Sequence, residues 1–367
     1  NGIGMRRTYN ELSANNNLTE RTFGMNITYE HKQSKNFEAG VTFIHNKYSL
    51  PLAKTPNNYN QFEFQGDENY NFGLFANYNW QNFLFFMEMA QSQSEGRAFV
   101  GGFMSSLSPI VSISFSYRNY AKDYHSMYGN SFGEGTRIIN ESGMYWGIKI
   151  TPSRKVFMSA YYDKFQFPWL KFGVDSPSAG HEYLIRVNYK PTKKIMMYVQ
   201  WREQAKQESL NQEDLNTKIL FLGVKRNLVG NLDFSVNDKI SIKSRAQYST
   251  FSIDEETTKG VAIIQDLNLK LGKFVISSRV AVFDSEDYEN RQYVYEKNLQ
   301  YVFSIPAYSG QGIRNYLMLR YKPTRNITLW GRVGRFNYFN ITNTGSGLNE
   351  IQGSTKTDVK FQVRYKF

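Results

Sequence analysis

Residues 356–367 read KTDVKFQVRYKF, and the alternation of apolar and polar side chains in that run has no slip. Thr357, Val359, Phe361, Val363, Tyr365 and Phe367 share one parity; Lys356, Asp358, Lys360, Gln362, Arg364 and Lys366 share the other. Successive side chains of a β-strand point to opposite faces, so this run has one apolar face and one charged face. Lysine or arginine fills four of the six charged-face positions, and that side has to meet water. Apolar outside and wet inside is the pattern of a strand in a transmembrane β-barrel.

Composition agrees. Of 367 residues, 26 are Tyr and 28 are Phe, and aromatics reach 16%. Mean hydropathy is nevertheless −0.53, too polar for a bundle of membrane helices. The longest apolar runs, at 83–87 and 195–199, fall far short of the roughly 18 residues a spanning helix needs. A barrel reconciles these facts, because half of every strand faces lipid and half faces water. There is no cysteine, hence no disulfide framework and no thiol chemistry. The chain opens NGIGMRRTYNEL, without an initiator Met or an apolar leader, and is expected to be processed or partial. The formal charge of +12 is spread over strands and turns instead of forming one run. We therefore expect a wetted wall and contacts to anionic lipid head groups, lipopolysaccharide included, and no nucleic acid bound by this segment.

Read in order, the chain offers about seventeen alternating segments, and no helix of more than a turn or two. In residues 19–31, Phe23, Met25, Ile27 and Tyr29 alternate with Gly24, Asn26, Thr28 and Glu30; residues 70–80 alternate in the same way. Short connections (QSKN, WQN, SP, TPSR, KPTK, ND, GK, KPTR) alternate with long ones at 49–69, 121–142, 164–181, 204–217, 284–312 and 339–355. Tight turns at one end and long loops at the other are the barrel rule. All nine prolines are expected in connections. The fold expected is all-β: a transmembrane antiparallel up-and-down β-barrel in one domain, residues 1–367, located in the bacterial outer membrane. Placing Phe367 at the periplasmic end puts residues 1–18 outside the cell. Both ends of such a barrel normally lie in the periplasm with an even strand number, so the complete protein is expected to have about 18 or more strands, the extra ones preceding Asn1.

Several stretches carry a family resemblance. YRNYAKDYHSMYGNSFGE, YWGIKITPSRKVFMSAYYDKFQFPWLKFGVDSPSAGHEYLIRVNYKPTKK, DYENRQYVYEKNLQYVFSIPAYSGQG and VKFQVRYKF resemble large Bacteroidota outer-membrane proteins. Those usually carry a helix-hairpin-helix segment N-terminal to the barrel, and only their barrel part is matched here. The resemblance implies fold and location, and no DNA-binding residue is carried over. The closing Phe361, Val363, Tyr365 and Phe367 are similar to the insertion signal of barrels placed by the assembly machinery, which is thus an expected partner.

No enzyme is expected. His31, His45, His125 and His181 lack metal spacing such as HExxH, and no Ser/His/Asp order or GxSxG stands out. The acidic DSEDYEN, with Asp284, Glu286, Asp287 and Glu289, offers oxygen ligands for a hard cation but reads better as a solvated loop. No cofactor or metal is therefore expected. The inward basic residues Lys149, Arg186, Arg202, Lys243, Arg245, Arg279, Arg332, Lys360 and Arg364 face the inward acids Glu30, Glu88, Glu182, Asp233, Asp266 and Asp358. That wall either favours anions or pairs its charges around a filled interior. Aromatics in FQFPWLKFG (Phe165, Phe167, Trp169 and Phe172) are expected to form a loop lid or to contact an envelope partner protein. Two functions follow: a conduit for polar or anionic solutes or macromolecules, gated by external loops, or a non-conducting accessory barrel in a secretion, assembly or uptake complex.

Overall fold

A computed structural model describes residues 7–13, 15–33, 35–212 and 217–367. Residues 1–6, part of the stretch expected outside the cell, and residue 34 in the QSKN turn lie outside the described residues. One short helix, α1 (Tyr9–Ser13), precedes β1 (Glu20–Glu30), β2 (Phe37–Leu52), β3 (Gly66–Trp80), β4 (Phe83–Ser92), β5 (Arg97–Ser106) and β6 (Val111–Tyr120). Next come β7 (Glu141–Ile150), β8 (Val156–Phe167), β9 (Ser178–Thr192), β10 (Ile195–Gln212) and β11 (Thr217–Ser235). β12 (Ile240–Ile253), β13 (Glu256–Leu271), β14 (Phe274–Ser285), β15 (Gln292–Tyr293) and β16 (Ala307–Tyr308) follow. β17 (Gln311–Tyr321), β18 (Ile327–Tyr338), β19 (Asn343–Thr344), β20 (Ile351–Gln352) and β21 (Thr355–Tyr365) complete the chain. Seventeen of these strands form one sheet, while β15–β16 and β19–β20 are two-residue pairs within connections.

Two compact units are distinguished. The first comprises Asn1–Ile148, Tyr161–His181 and Lys206–Phe221. In it β1 to β6 pair in sequence, all antiparallel, with apolar residues opposite one another: Ile27 faces Val41 and Phe43 faces Phe72. The second comprises Lys149–Ala160, Glu182–Ala205 and Leu222–Phe367. Here β11 to β14, then β17, β18 and β21, pair in sequence, and Ile263 faces Val282 as Val333 faces Val359.

The short connections are built by local chemistry. Asn237 accepts hydrogen bonds at its side-chain oxygen from the N–H groups of Lys239 and Ile240, both 2.9 Å. Ser108 and Ser153 do the same for the last residue of the turn and the first of the next strand. Such Asx and Ser turns satisfy N–H groups that the ladder has not yet reached. Gly272, at φ +58°, supplies the left-handed residue of the two-residue turn between β13 and β14.

The outward parity is apolar and uncovered: Phe23, Ile27, Ile263, Leu317, Val359 and Phe361 are all more than half exposed. The inward parity holds Asn46, Asn71, Arg118, Asp266, Arg279 and Arg332, all buried. This inverts the soluble arrangement, in which apolar side chains go inside. A belt of exposed aliphatic and aromatic residues across a sheet this wide is a surface for hydrocarbon. Among the described residues no helix is long and apolar enough to cross a membrane; the strands are the crossing elements.

Three expectations are corrected. Residues 204–217 are not a long loop, since β10 runs on to Gln212 and β11 starts at Thr217, and the intervening tip lies outside the described residues. The REQAKQES stretch is polar on both parities because the strand has left the lipid; the period-two signal vanishes there although pairing continues. Phe165 and Phe167 belong to β8, not to a loop, and are buried. Prolines are not confined to connections: Pro191 lies near the end of β9, and Pro51 sits in β2. The register of β2 shifts between Lys47 and Leu52, a bulge where the missing N–H of proline costs no ladder bond.

The assignment of faces makes a prediction. Val359→Arg places a charge on the lipid side at mid-strand and should destabilise the inserted state by about 2–4 kcal/mol. Lys360→Glu, one residue on but facing inward, should leave folding into liposomes close to wild type. Urea titrations read by heat-modifiable gel mobility compare the two; equal loss would mean that the faces are reversed.

Candidate functional site

The connection from β14 to β17 does not extend away from the sheet. It returns along the inner face of the second unit. Alternation persists in it: Gln292, Val294 and Glu296 are buried, while Tyr293 and Tyr295 are exposed. The apolar members of the buried row have an apolar seat. Val294 and Tyr308 pack with Ala262, Ile264, Ala281 and Phe283, inward residues of β13 and β14, and Phe336 and Tyr338 of β18 close the cluster.

The polar members are paired. Asp287 caps the start of the segment, accepting from the Asn290 backbone at 2.8 Å and the Thr258 hydroxyl at 2.6 Å. The Asn290 side-chain oxygen accepts from Ser249 at 2.9 Å. Glu296 is fully buried. Its carboxylate accepts two bonds from Arg314 at 2.8 Å, one from Arg332 at 2.5 Å and one from the Tyr308 hydroxyl at 2.9 Å. Asp358 takes the remaining guanidinium edges, 2.6 Å from Arg332 and 3.3 Å from Arg314. Two guanidiniums thus meet two carboxylates and the cluster is neutral. Burial by itself would raise the affinity of Glu296 for a proton. The hydrogen bond and charge of Arg314, then Tyr308 and Arg332, outweigh it and hold this carboxyl below its usual range.

A glycine makes room for the cluster. A Cβ at Gly334 would lie 2.8 Å from Arg314, and 2.9 Å from both Arg332 and Asp358. Further along, Gln300 exchanges hydrogen bonds with Gln362 and accepts from Arg364 at 2.9 Å. The segment is therefore fastened to β17, β18 and β21.

The first unit repeats the logic with different residues. Arg118 of β6 is buried and donates to Glu141 of β7 at 2.6 Å and to both oxygens of Asp163 of β8 at 2.7 and 3.0 Å. Glu141 also accepts from the N–H groups of Glu134 and Gly135, which ties the 121–140 connection to the wall. Earlier in that connection, the His125 carbonyl accepts from the inward amides of Asn69 and Asn71.

The sequence-predicted basic residues divide accordingly. Arg279 is paired bidentately with Asp266, Arg202 with Glu182, and Lys243 lies 3.4 Å from Asp233. Arg186 lies over the Tyr198 ring at 3.7 Å, and Arg245 donates to the hydroxyl of the same tyrosine at 3.1 Å. Neither has a carboxylate within ion-pair distance among the described residues, nor do Lys149, Lys360 and Arg364. Phe361, Val363, Tyr365 and Phe367 form an exposed outward row. The acidic DSEDYEN is spent on anchoring: Asp284 accepts from Gln311, Glu286 from the Lys259 N–H, and Asp287 as above. Among the described residues no three candidate ligands converge as a metal site would require.

Sequence reasoning missed Arg118, Arg314, Glu141, Asp163 and Glu296. Parity places Arg118 and Arg314 inward, but which carboxylate meets them depends on register and on a returning loop. The only signal was that YVYEKNLQYVF keeps a strand-like alternation inside a connection.

No protein-family model matches this chain, and no curated protein matches it. Solved structures do. The outer-membrane ferripyoverdine receptor of Pseudomonas aeruginosa bound to ferripyoverdine aligns with a TM-score of 0.56 at 11% identity, covering 95% of this chain and 56% of that one. The FpvAI–pyocin S2 complex gives 0.56 at 9% identity over 95% and 55%. P. aeruginosa FpvA bound to a heterologous ferric pyoverdine gives 0.55 at 8% over 95% and 56%. The chain spans about half the length of these receptors, and at such identities the likeness is one of fold. That fold is the antiparallel barrel of the bacterial outer membrane. With the lipid-facing belt above, it places this chain there.

Removing one partner of a buried ion pair typically costs about 3–5 kcal/mol. Glu296→Gln should therefore loosen residues 286–310, and limited proteolysis should nick the variant there before wild type. Because the folded-state affinity of Glu296 for protons is lowered, its contribution is complete above the ordinary carboxylate range and is lost only as pH falls through and below it. Wild type should resist nicking at neutral pH and yield to an acid-tolerant protease only under strongly acidic conditions.

Proposed function

We propose that this chain forms the wall of an outer-membrane passage for polar and especially anionic solutes, narrowed at rest by connections folded onto its inner face. The observation that carries this reading is the fastening of residues 286–310 through Glu296. A carboxylate taken wholly out of water and neutralised from two wall strands does little for overall stability compared with an apolar contact of equal size. It fixes position and register, which matters where a segment controls access. Inner-face cations without carboxylate partners, Lys149, Arg186, Arg245 and Lys360, would raise the local concentration of anions along the remaining path. The resemblance to Bacteroidota outer-membrane proteins supports the same location, with lipopolysaccharide and the barrel assembly machinery as the expected partners.

A second reading has its own observation. Phe172, Tyr301 and Phe303 are each more than three-quarters exposed in connections, where no hydrocarbon accounts for them. Aromatics so placed suit contact with another envelope protein, as an accessory barrel would need.

Planar-bilayer recording separates the two. On the first reading, wild type conducts weakly, Glu296→Gln shows more frequent openings, and deletion of residues 287–309 raises mean conductance several-fold with anions favoured over cations. A deletion protein that migrates as a folded barrel yet shows no openings removes the conduit and leaves the accessory reading.

A further inference from the structure

A cavity is built in the first unit, where three connections meet. Residues 53–65, 121–140 and 168–177 converge, with Asn140 joining the second to the third and Trp169 the third to the first. Its side chain accepts from the Trp169 N–H at 2.7 Å and donates to the Trp169 carbonyl at 2.9 Å. The Trp169 indole N–H donates to the Asn58 carbonyl at 3.2 Å, and its ring meets Phe62 edge-to-face at 5.0 Å. Tyr59 and Phe172 make a similar pair at 5.7 Å. The pocket they line, open to solvent on one side, has a volume of about 160 Å³. An apolar cavity of about 150 Å³ is enough to hold a benzene ring.

Charge in this cavity is unbalanced. Among the described residues that line it the one carboxylate, Glu63, is already paired with Arg137 at 2.5 Å and with Lys54. Two further ammonium groups line the space. Lys122 lies 3.9 Å from the centre of the Phe62 ring and 4.7 Å from that of Trp169, and Lys171 lies 3.6 Å from that of Phe167. Neither has a carboxylate within ion-pair distance among the described residues. Ring faces are weak counter-ions compared with an anion.

We propose that this cavity binds a small aromatic carboxylate, its ring against Tyr59 and Phe172 and its carboxylate between Lys122 and Lys171. The aromatic walls accept a flat apolar body, and the two ammonium groups offer it a direct ion pair that no carboxylate of the described residues makes with them. Burial pushes the Lys171 ammonium below its usual range, and the charge of Lys206 adds to this against the opposing carboxylates of Glu134, Glu141 and Glu208. A bound anion would reverse that shift. The site does not depend on whether the barrel conducts.

The test uses 4-fluorobenzoate and ¹⁹F NMR line-broadening with the full chain in detergent; 4-fluorobenzyl alcohol and 4-fluorobenzylamine report partition into the micelle. Saturable binding of the benzoate alone is expected. It should be weakened at least tenfold in the Lys122→Gln/Lys171→Gln double variant and largely retained in Lys122→Arg, with all variants first shown to migrate as folded barrels. Trp169→Leu should weaken binding without changing the preference for the anion. Absence of saturable binding to wild type, equal binding of alcohol and benzoate, or an unaffected double variant would each overturn the proposal. None of these outcomes alters the conductance experiment, so the two readings fail separately.

Discussion

A strand with hydrocarbon on one side and water on the other has no freedom in its side-chain period. Backbone N–H and C=O groups in lipid must be paired, which demands neighbouring strands in register. The pleat then sends odd and even residues to different solvents. Everything else in this chain adapts to that pair of demands. Tight turns close on side-chain oxygens from Asn237, Ser108 and Ser153, because no neighbouring element is available to satisfy the first N–H groups of the next strand. Long polar strands such as β10 lose their alternation only where the two solvents become the same one.

The inner face shows how charge is managed once it has been forced inward. Arg118, Arg279, Arg314 and Arg332 are buried, yet each meets carboxylates in bidentate or shared geometry. Arginine suits this role because its planar fork stays charged and addresses two acceptors at once. Both units then use such a cluster to tie down a connection: Glu141 gathers the 121–140 stretch, and Glu296 gathers 286–310. An interior lined by ion pairs is therefore also an interior partly occupied by its own loops.

How much of this was legible beforehand depended on whether the information was local. The faces of KTDVKFQVRYKF could be read directly, because period and composition sit in one run. The inward placement of Arg279 and Arg332 followed from the same parity. Their partners did not: Asp266 meets Arg279 through the β13–β14 register, and Glu296 reaches Arg332 only because a connection turns back. Strand ends failed for a physical reason too. Beyond the lipid both faces of β10 are polar, and Phe165 and Phe167 put aromatic residues on the inward parity of β8, where a water-facing wall leads one to expect polar ones. The three-loop cavity was half visible, since the aromatics of 165–172 stood out while Asn140 and Lys122, which organise and charge it, carry no sequence mark.

Gly334 extends the point to how such a wall can drift. It is an uncharged position in mid-strand, but a single methyl group there would have to displace one of three ionised neighbours. Substitution at a site whose side chain carries no polar atom would thus be felt as an electrostatic change on both adjacent strands, β17 and β21. Tolerance to variation at Gly334 is set by the space it declines to fill, whereas Gly331 on the same strand has open space around it.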